Sequence, residues 1–185
     1  VFDCSLVSDG AVFVVLAATD IAEKLNPQRA VKILGSGHAG DTLTTYGKKS
    51  LTTLAATVKA ADQAYKMSGK SPKEIDLVEL HDCFTITQVI SMEDLGFFEK
   101  GKGGQAVLDG RTARDGEIPV NLSGGLKAKG HPIGATGLSQ MYELVTQLRG
   151  EAGERQIDKA HIGLAHNLGG TAGTCVIHVL EGGKK

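Results

Sequence analysis

The order of apolar runs predicts a single layered α/β domain, a mixed β-sheet with helices on its faces. Three observations carry this. Short continuous runs rich in β-branched residues, such as 11–16, alternate with stretches whose apolar residues recur at helical spacing. At 185 residues the chain is long enough for one good core. Its 25 glycines mark many tight backbone positions.

The elements follow in order. After the turn signal Ser8-Asp9-Gly10, residues 11–16 read as a strand covered on both faces. Thr19 caps a brief helix through Leu25, which Asn26-Pro27 ends. A strand over 31–37 leads into a polar segment. Ser50 then caps a helix over 51–67, with Leu54, Ala55, Val58, Ala61 and Tyr65 on one face and Gly69 as its stop. Ser71-Pro72-Lys73-Glu74 repeats the start signal. A strand over 77–80, a helix over 85–95 and a solvated excursion over 99–116 come next. The remainder reads as strand 118–122, helix 135–148 and strands 162–165 and 174–180, the last two paired across the 169–173 turn.

Composition excludes several classes. A net charge of -1 gives no general pull toward nucleic acid or an anionic membrane. The longest apolar run falls well short of the ~20 residues of a membrane span. Three cysteines, Cys4, Cys83 and Cys175, are too few for a disulfide framework, so a reducing, cytoplasmic setting is expected. The chain opens on Val1 and its first nine residues read as the inside of a longer protein.

Three histidine clusters stand out: His81-Asp82-Cys83-Phe84, Gly130-His131-Pro132 and His166-Asn167-Leu168-Gly169-Gly170. Each is read at the carboxyl end of a strand, where open α/β sheets collect ligands, so loops distant in sequence should meet on one face. The second lies where a glycine-rich bend opens a helix, a place that brings backbone N–H groups and positive potential to a ligand oxygen. His131 can there take a proton from a nucleophile or donate to an oxyanion. No phosphate-loop pattern is present. Lys127 and Lys129 are read either as nucleotide-phosphate contacts or as solvated lysines. A zinc site on His81, Cys83 and His131 lacks any ligand pair at zinc-ribbon spacing, and no metal is expected.

His81-Asp82-Cys83-Phe84, Gly130-His131-Pro132 with Gly134-Ala135-Thr136-Gly137, and Asn167-Leu168-Gly169-Gly170 resemble the three motifs of the carboxyl-terminal half of a thiolase. The likeness is greatest to the sterol-carrier-protein-type and archaeal-type thiolases, which carry HDCF. It implies a thiolase-like layered fold, with residues 1–30 as the tail of the family's first half and 31–185 as its C-terminal domain. It also implies Claisen condensation or thiolytic cleavage of acyl groups on coenzyme A. Coenzyme A then enters as substrate, with no permanently bound cofactor.

By the same resemblance, His131 activates the nucleophile and binds a thioester oxygen, while His81 shapes that oxyanion site. Cys83 is the acid/base group, because the terminal CxG cysteine of other thiolases is replaced by Asn167-Leu168-Gly169. An adjacent imidazolium is expected to tune its thiol. The Gly169 N–H supplies a second oxyanion donor, His166 orients a water or Asn167, and Gly134 and Ala135 border the substrate. The family's nucleophilic cysteine would precede Val1. The expected partners are therefore acyl-CoA and a thiolase N-terminal half, as a separate subunit or removed segment, in a homo- or hetero-oligomer. The rival reading is a non-catalytic acyl-CoA-binding or assembly module.

Overall fold

The structure, a computed structural model, describes residues 2–183; Val1, Lys184 and Lys185 lie outside the described residues. Four strands form one mixed sheet: β1 (Lys32–Gly40), β2 (Leu77–Leu80), β3 (Ile162–Gly169) and β4 (Thr174–Glu181), in the spatial order β1-β4-β3-β2. Only β2 and β3 run parallel, and the antiparallel β3–β4 pair turns over at 170–173.

Strand alternation sends successive side chains to opposite faces, and each face has its own helix. Val78, Leu80, Leu164, Ile177 and Val179 pack with the alanine-rich helix α2 (Ala55–Ser68). Leu77, Ala165 and Leu180 pack with Leu144 and Leu148 of α6 (Thr136–Leu148). Complete burial of a Leu or Ile contributes roughly 1.5–3 kcal/mol, and Leu80, Leu144, Leu164 and Ile177 are all fully buried. Contact between α2 and β1 is closer than side chains permit: a Cβ at Gly37 would lie 1.9 Å from the Ala60 carbonyl oxygen. Small residues on both surfaces make that approach possible.

The other α-helices among the described residues are α1 (Thr19–Leu25), α3 (Thr85–Asp94), α4 (Gly103–Leu108) and α5 (Gly125–Lys129). Among the described residues no helix is long and apolar enough to cross a membrane.

The structure corrects several sequence expectations. Residues 11–16 are not a strand; they make no sheet pairing among the described residues, and Phe13, Val15 and Leu16 are largely exposed. The helix after Ser50 starts only at Ala55, because the Ser50 hydroxyl accepts the Thr52 amide in a local turn. Asp94 then receives the Leu54 N–H at the true helix entry. Ala18, not Thr19, caps α1, and no residue of that helix is buried. Ser71 and Glu74 do form a capping box, though around a single 3₁₀ turn, Pro72–Glu74. Residues 118–122 give one bridge, Val78 to Val120, because Pro119 has no N–H to donate and Asn121 turns left-handed at φ 52°. The 99–116 excursion contains α4, with Gly103 and Ala106 buried. Finally β3 continues through His166, Asn167 and Gly169, which places the third cluster on the strand itself.

On the α6 face of β2, the Glu79 carboxyl is buried and accepts the Ser123 N–H at 3.0 Å and hydroxyl at 2.6 Å. Burial pushes its pKa up to about 7, with Glu143 adding to the rise while the Ser123 bonds and Lys129 oppose it. The native state therefore holds this proton more tightly than the unfolded chain does. That stabilisation is complete below the ordinary carboxylate value and is lost as pH rises through about 7. Urea unfolding between pH 4.5 and 7.5 is expected to show the parent losing stability relative to Glu79→Gln, by up to ~1.4 kcal/mol per pH unit. Parallel pH profiles for the two proteins would contradict this.

Candidate active site

The parallel register of β2 on β3 sets Leu80 opposite His166. The next residue of each strand then meets its counterpart: His81 Nδ1 lies 2.8 Å from Asn167 Oδ1. An amide oxygen only accepts, so the ring donates through Nδ1 and presents a bare Nε2. Burial, with His131 nearby, lowers the His81 pKa to about 4 against the opposing Asn167 bond. The ring is neutral at pH 7.

The loop before α6 brings His131 edge-on to His81, with ring centroids 4.9 Å apart and planes at 87°. Its Nδ1 is 2.6 Å from the Thr136 hydroxyl, which donates its own proton to the Pro132 carbonyl at 3.1 Å. That hydroxyl must therefore accept from His131 Nδ1–H, leaving Nε2 as the basic atom. Burial lowers this pKa as well, although the Asp82 charge pulls the other way. Sequence reading missed Thr136 as a tautomer-setting group; its signal was its place within Gly134-Ala135-Thr136-Gly137, one turn from the histidine. Gly137 matters for space, since a Cβ there would sit 3.1 Å from Asn167 Nδ2.

His81, His131 and Asn167 thus form one contiguous contact. Cys83 and Gly169 each stand two residues along the chain from a member of it. Cys83 is half-buried, and burial together with the Asp82 charge raises its pKa. The expected imidazolium beside this thiol is absent, because the same burial that shields the site keeps both histidines neutral. Cys83 rests as a thiol.

Asp82 braces two loops. Its carboxylate accepts the N–H groups of Leu126 at 2.7 Å and Lys127 at 3.4 Å, at the start of α5. Gly125, at φ +60°, passes so close that a Cβ would lie 2.3 Å from Asp82 Oδ2. Together with the Glu79–Ser123 bonds, this fixes the 121–127 bend, and so His131, against the end of β2.

Residues 2–8 cross both loops as a strap. Ser5 N–H donates to the Cys83 carbonyl at 2.8 Å, Thr85 N–H to Asp3 at 3.1 Å, and His131 N–H to Leu6 at 3.1 Å. Lys127 Nζ holds the carbonyls of Phe2 and Cys4, both at 2.6 Å, and Lys129 pairs with Glu143. Neither lysine is a freely solvated cation. Gly134 and Ala135 border an open cleft of about 360 Å³ with residues 8–12.

His166 sits behind the contact, fully buried in the α2 face. Its Nε2 donates to the Thr57 hydroxyl at 3.1 Å, which donates on to Cys175 Sγ at 3.7 Å, and its Nδ1 faces the His81 N–H at 3.5 Å. Burial lowers its pKa to about 3. Thr57 is 109 residues away in sequence, and no local pattern announces it. Among the described residues no group of three or more His, Cys, Asp or Glu is arranged to hold a metal ion.

Residues 37–182 match the family described as Thiolase C-terminal domain-like. An acetyl-CoA acetyltransferase of Methanothermobacter thermautotrophicus is 51% identical over 179 residues, covering 97% of this chain and 46% of its own length. A sterol carrier protein 2 of Oryctolagus cuniculus is 42% identical, over 91% of this chain and 32% of that protein. The chain thus spans half or less of the length of these curated relatives. A solved structure described as an Ltp2-ChsH2(DUF35) aldolase superposes with a TM-score of 0.75 at 24% identity, over 84% of this chain and 40% of that one, which shows likeness of fold. With about four-fifths of its length matched to the family, and relatives 51% and 42% identical over nearly all of it, this chain belongs to the thiolase C-terminal domain-like family.

Proposed function

We propose that this chain supplies the acid/base and oxyanion groups of a thiolase, acting on acyl-CoA together with an N-terminal half that carries the nucleophilic cysteine. The observation that carries the reading is the contact of His81, His131 and Asn167, with Cys83 two residues from it. Kinship with a protein named acetyl-CoA acetyltransferase supports it.

The roles follow from protonation. His131, neutral with a bare Nε2, takes the proton of the partner's thiol as that sulfur attacks the thioester carbonyl. His131 holds that proton and returns it to the partner's sulfur when the acyl group is passed on. In the cleavage direction Cys83, resting as a thiol, gives its proton to the α-carbon as the carbon–carbon bond breaks, and the incoming coenzyme A thiol restores it. In the condensation direction Cys83 gives that proton to the departing coenzyme A thiolate, and as a thiolate then removes one from the second acyl-CoA. For His81 to stabilise an oxyanion, its proton must sit on Nε2. Turning the Asn167 amide over, so that Nδ2 faces Nδ1, puts it there. The Gly169 N–H is the second donor, preorganised by the β3–β4 turn. Gly134 and Ala135 border the thioester arm in the cleft, and His166 positions His81 from behind. Coenzyme A is a substrate, and no permanently bound cofactor takes part.

The uncovered apolar stretch at 11–16 is where the N-terminal half would pack, giving a homo- or hetero-oligomer. Three free cysteines suit the reducing cytoplasm.

Combining the chain with its N-terminal half should give coenzyme A-dependent cleavage of acetoacetyl-CoA. Acyl-CoA binding without turnover would instead favour a binding or assembly module. Cys83→Ala should abolish α-proton exchange while acylation of the partner's cysteine stays measurable, and equal loss of both steps would remove the acid/base role. His131→Ala should slow both steps, by about 10²–10⁴-fold. Because burial lowers the His131 pKa, the acid limb of kcat/KM should fall below pH 6.5. An acid limb above that value would contradict a neutral resting base.

A further inference from the structure

We infer that Lys48 is a positioning residue for the Gly169 amide, acting through the β3–β4 turn. The inference rests on the thiolase reading for what that amide does, though not for the clamp itself. Lys48 lies on the loop after β1, far from the histidines in sequence, yet its side chain is only 5% exposed. Its ammonium reaches Asp41 Oδ2 at 3.2 Å, the Thr42 carbonyl at 2.9 Å and the Ala172 carbonyl at 3.4 Å. A buried ammonium with three acceptors is costly to assemble and severe to break.

Its third acceptor belongs to a strained residue. Ala172 has φ +56°, a left-handed conformation that an L side chain adopts only when its surroundings impose it. Glycine would relieve the strain, but the Ala172 methyl is buried in the α2-face core. The turn is thus held from two sides, by the methyl in the core and by the carbonyl on Lys48. The same loop adds the Asp41 N–H to the Gly173 carbonyl at 2.9 Å, and its Leu43 carbonyl accepts the Thr171 hydroxyl. Gly173 N–H closes the turn onto the Gly169 carbonyl at 3.0 Å. The peptide geometry at Gly169 is therefore set by a turn whose least favourable residue is fixed by Lys48.

Lys48→Met keeps the stem and removes the charge, Lys48→Arg restores it, and Asp41→Asn weakens the clamp while leaving the ammonium over Ala172. In the chain with its N-terminal half, amide hydrogen exchange at 169–173 is expected to quicken about tenfold or more in Lys48→Met, less in Asp41→Asn, and to recover in Lys48→Arg. Turnover of acetoacetyl-CoA should fall about tenfold or more in Lys48→Met with KM little changed, as for a displaced oxyanion donor. Unchanged exchange in both Lys48→Met and Asp41→Asn would overturn the clamp whatever the catalysis. If Lys48→Met does not fold, unchanged exchange in Asp41→Asn alone overturns it. Quickened exchange with undiminished kcat would overturn the positioning role and leave the thiolase reading standing. An inactive parent complex would remove both that reading and the catalytic half of this inference.

Discussion

The parallel register between β2 and β3 is the constraint on which the site depends. With Leu80 opposite His166, the strands deliver His81 and Asn167 side by side at the same end of the sheet. A slip of one residue would send Asn167 to the α2 face and His166 to the other, since side chains alternate with period two. The register is held by burial. Leu80 and Leu164 fill the α2 side while Leu77 and Ala165 fill the α6 side, so a slip would set the moved strand's side chains against the wrong helix and break both packings at once. His166, locked to Thr57 and Cys175, adds a polar peg on the same strand.

Electrostatics follow from that packing. The end of β2 carries four polar groups in five residues, Glu79, His81, Asp82 and Cys83, and each is shifted toward its uncharged form by burial. The two acids still accept backbone and hydroxyl donors from the 121–127 bend, so they join the loop bearing His131 to the loop bearing His81. A region of neutral imidazoles and a neutral thiol suits proton transfer better than ion binding. It leaves bare nitrogens as bases and avoids a fixed charge that water would have to solvate. The strap at residues 2–8 extends the arrangement by adding backbone bonds at Cys83, Thr85 and His131.

Parts of this were legible in the sequence. Apolar runs and helical spacing located β1, β2, β4, α3 and α6 to within a few residues, because each packs into the apolar layers on the two faces of one sheet. The histidine clusters were legible as a set because polar residues crowded beside apolar strands need a chemical reason. Residues 11–16 misled for the converse reason. Their continuous apolar pattern asks for cover on two faces, and within the described residues nothing supplies it. Ser50 misled because a hydroxyl can close its own turn as readily as cap a helix.

By itself the sequence determined the α/β layering and the chemical types gathered in each loop, since these rest on periodicity and local composition, while the family followed from the likeness of its motifs. Only the tertiary structure decided that His131 faces His81, that Thr136 and Asn167 set where the ring protons sit, and that the histidines are neutral rather than cationic. Those are questions of which groups exclude water from which. Contacts such as Thr57 with His166 or Lys48 with Ala172 span more than a hundred residues, a separation that no local pattern encodes.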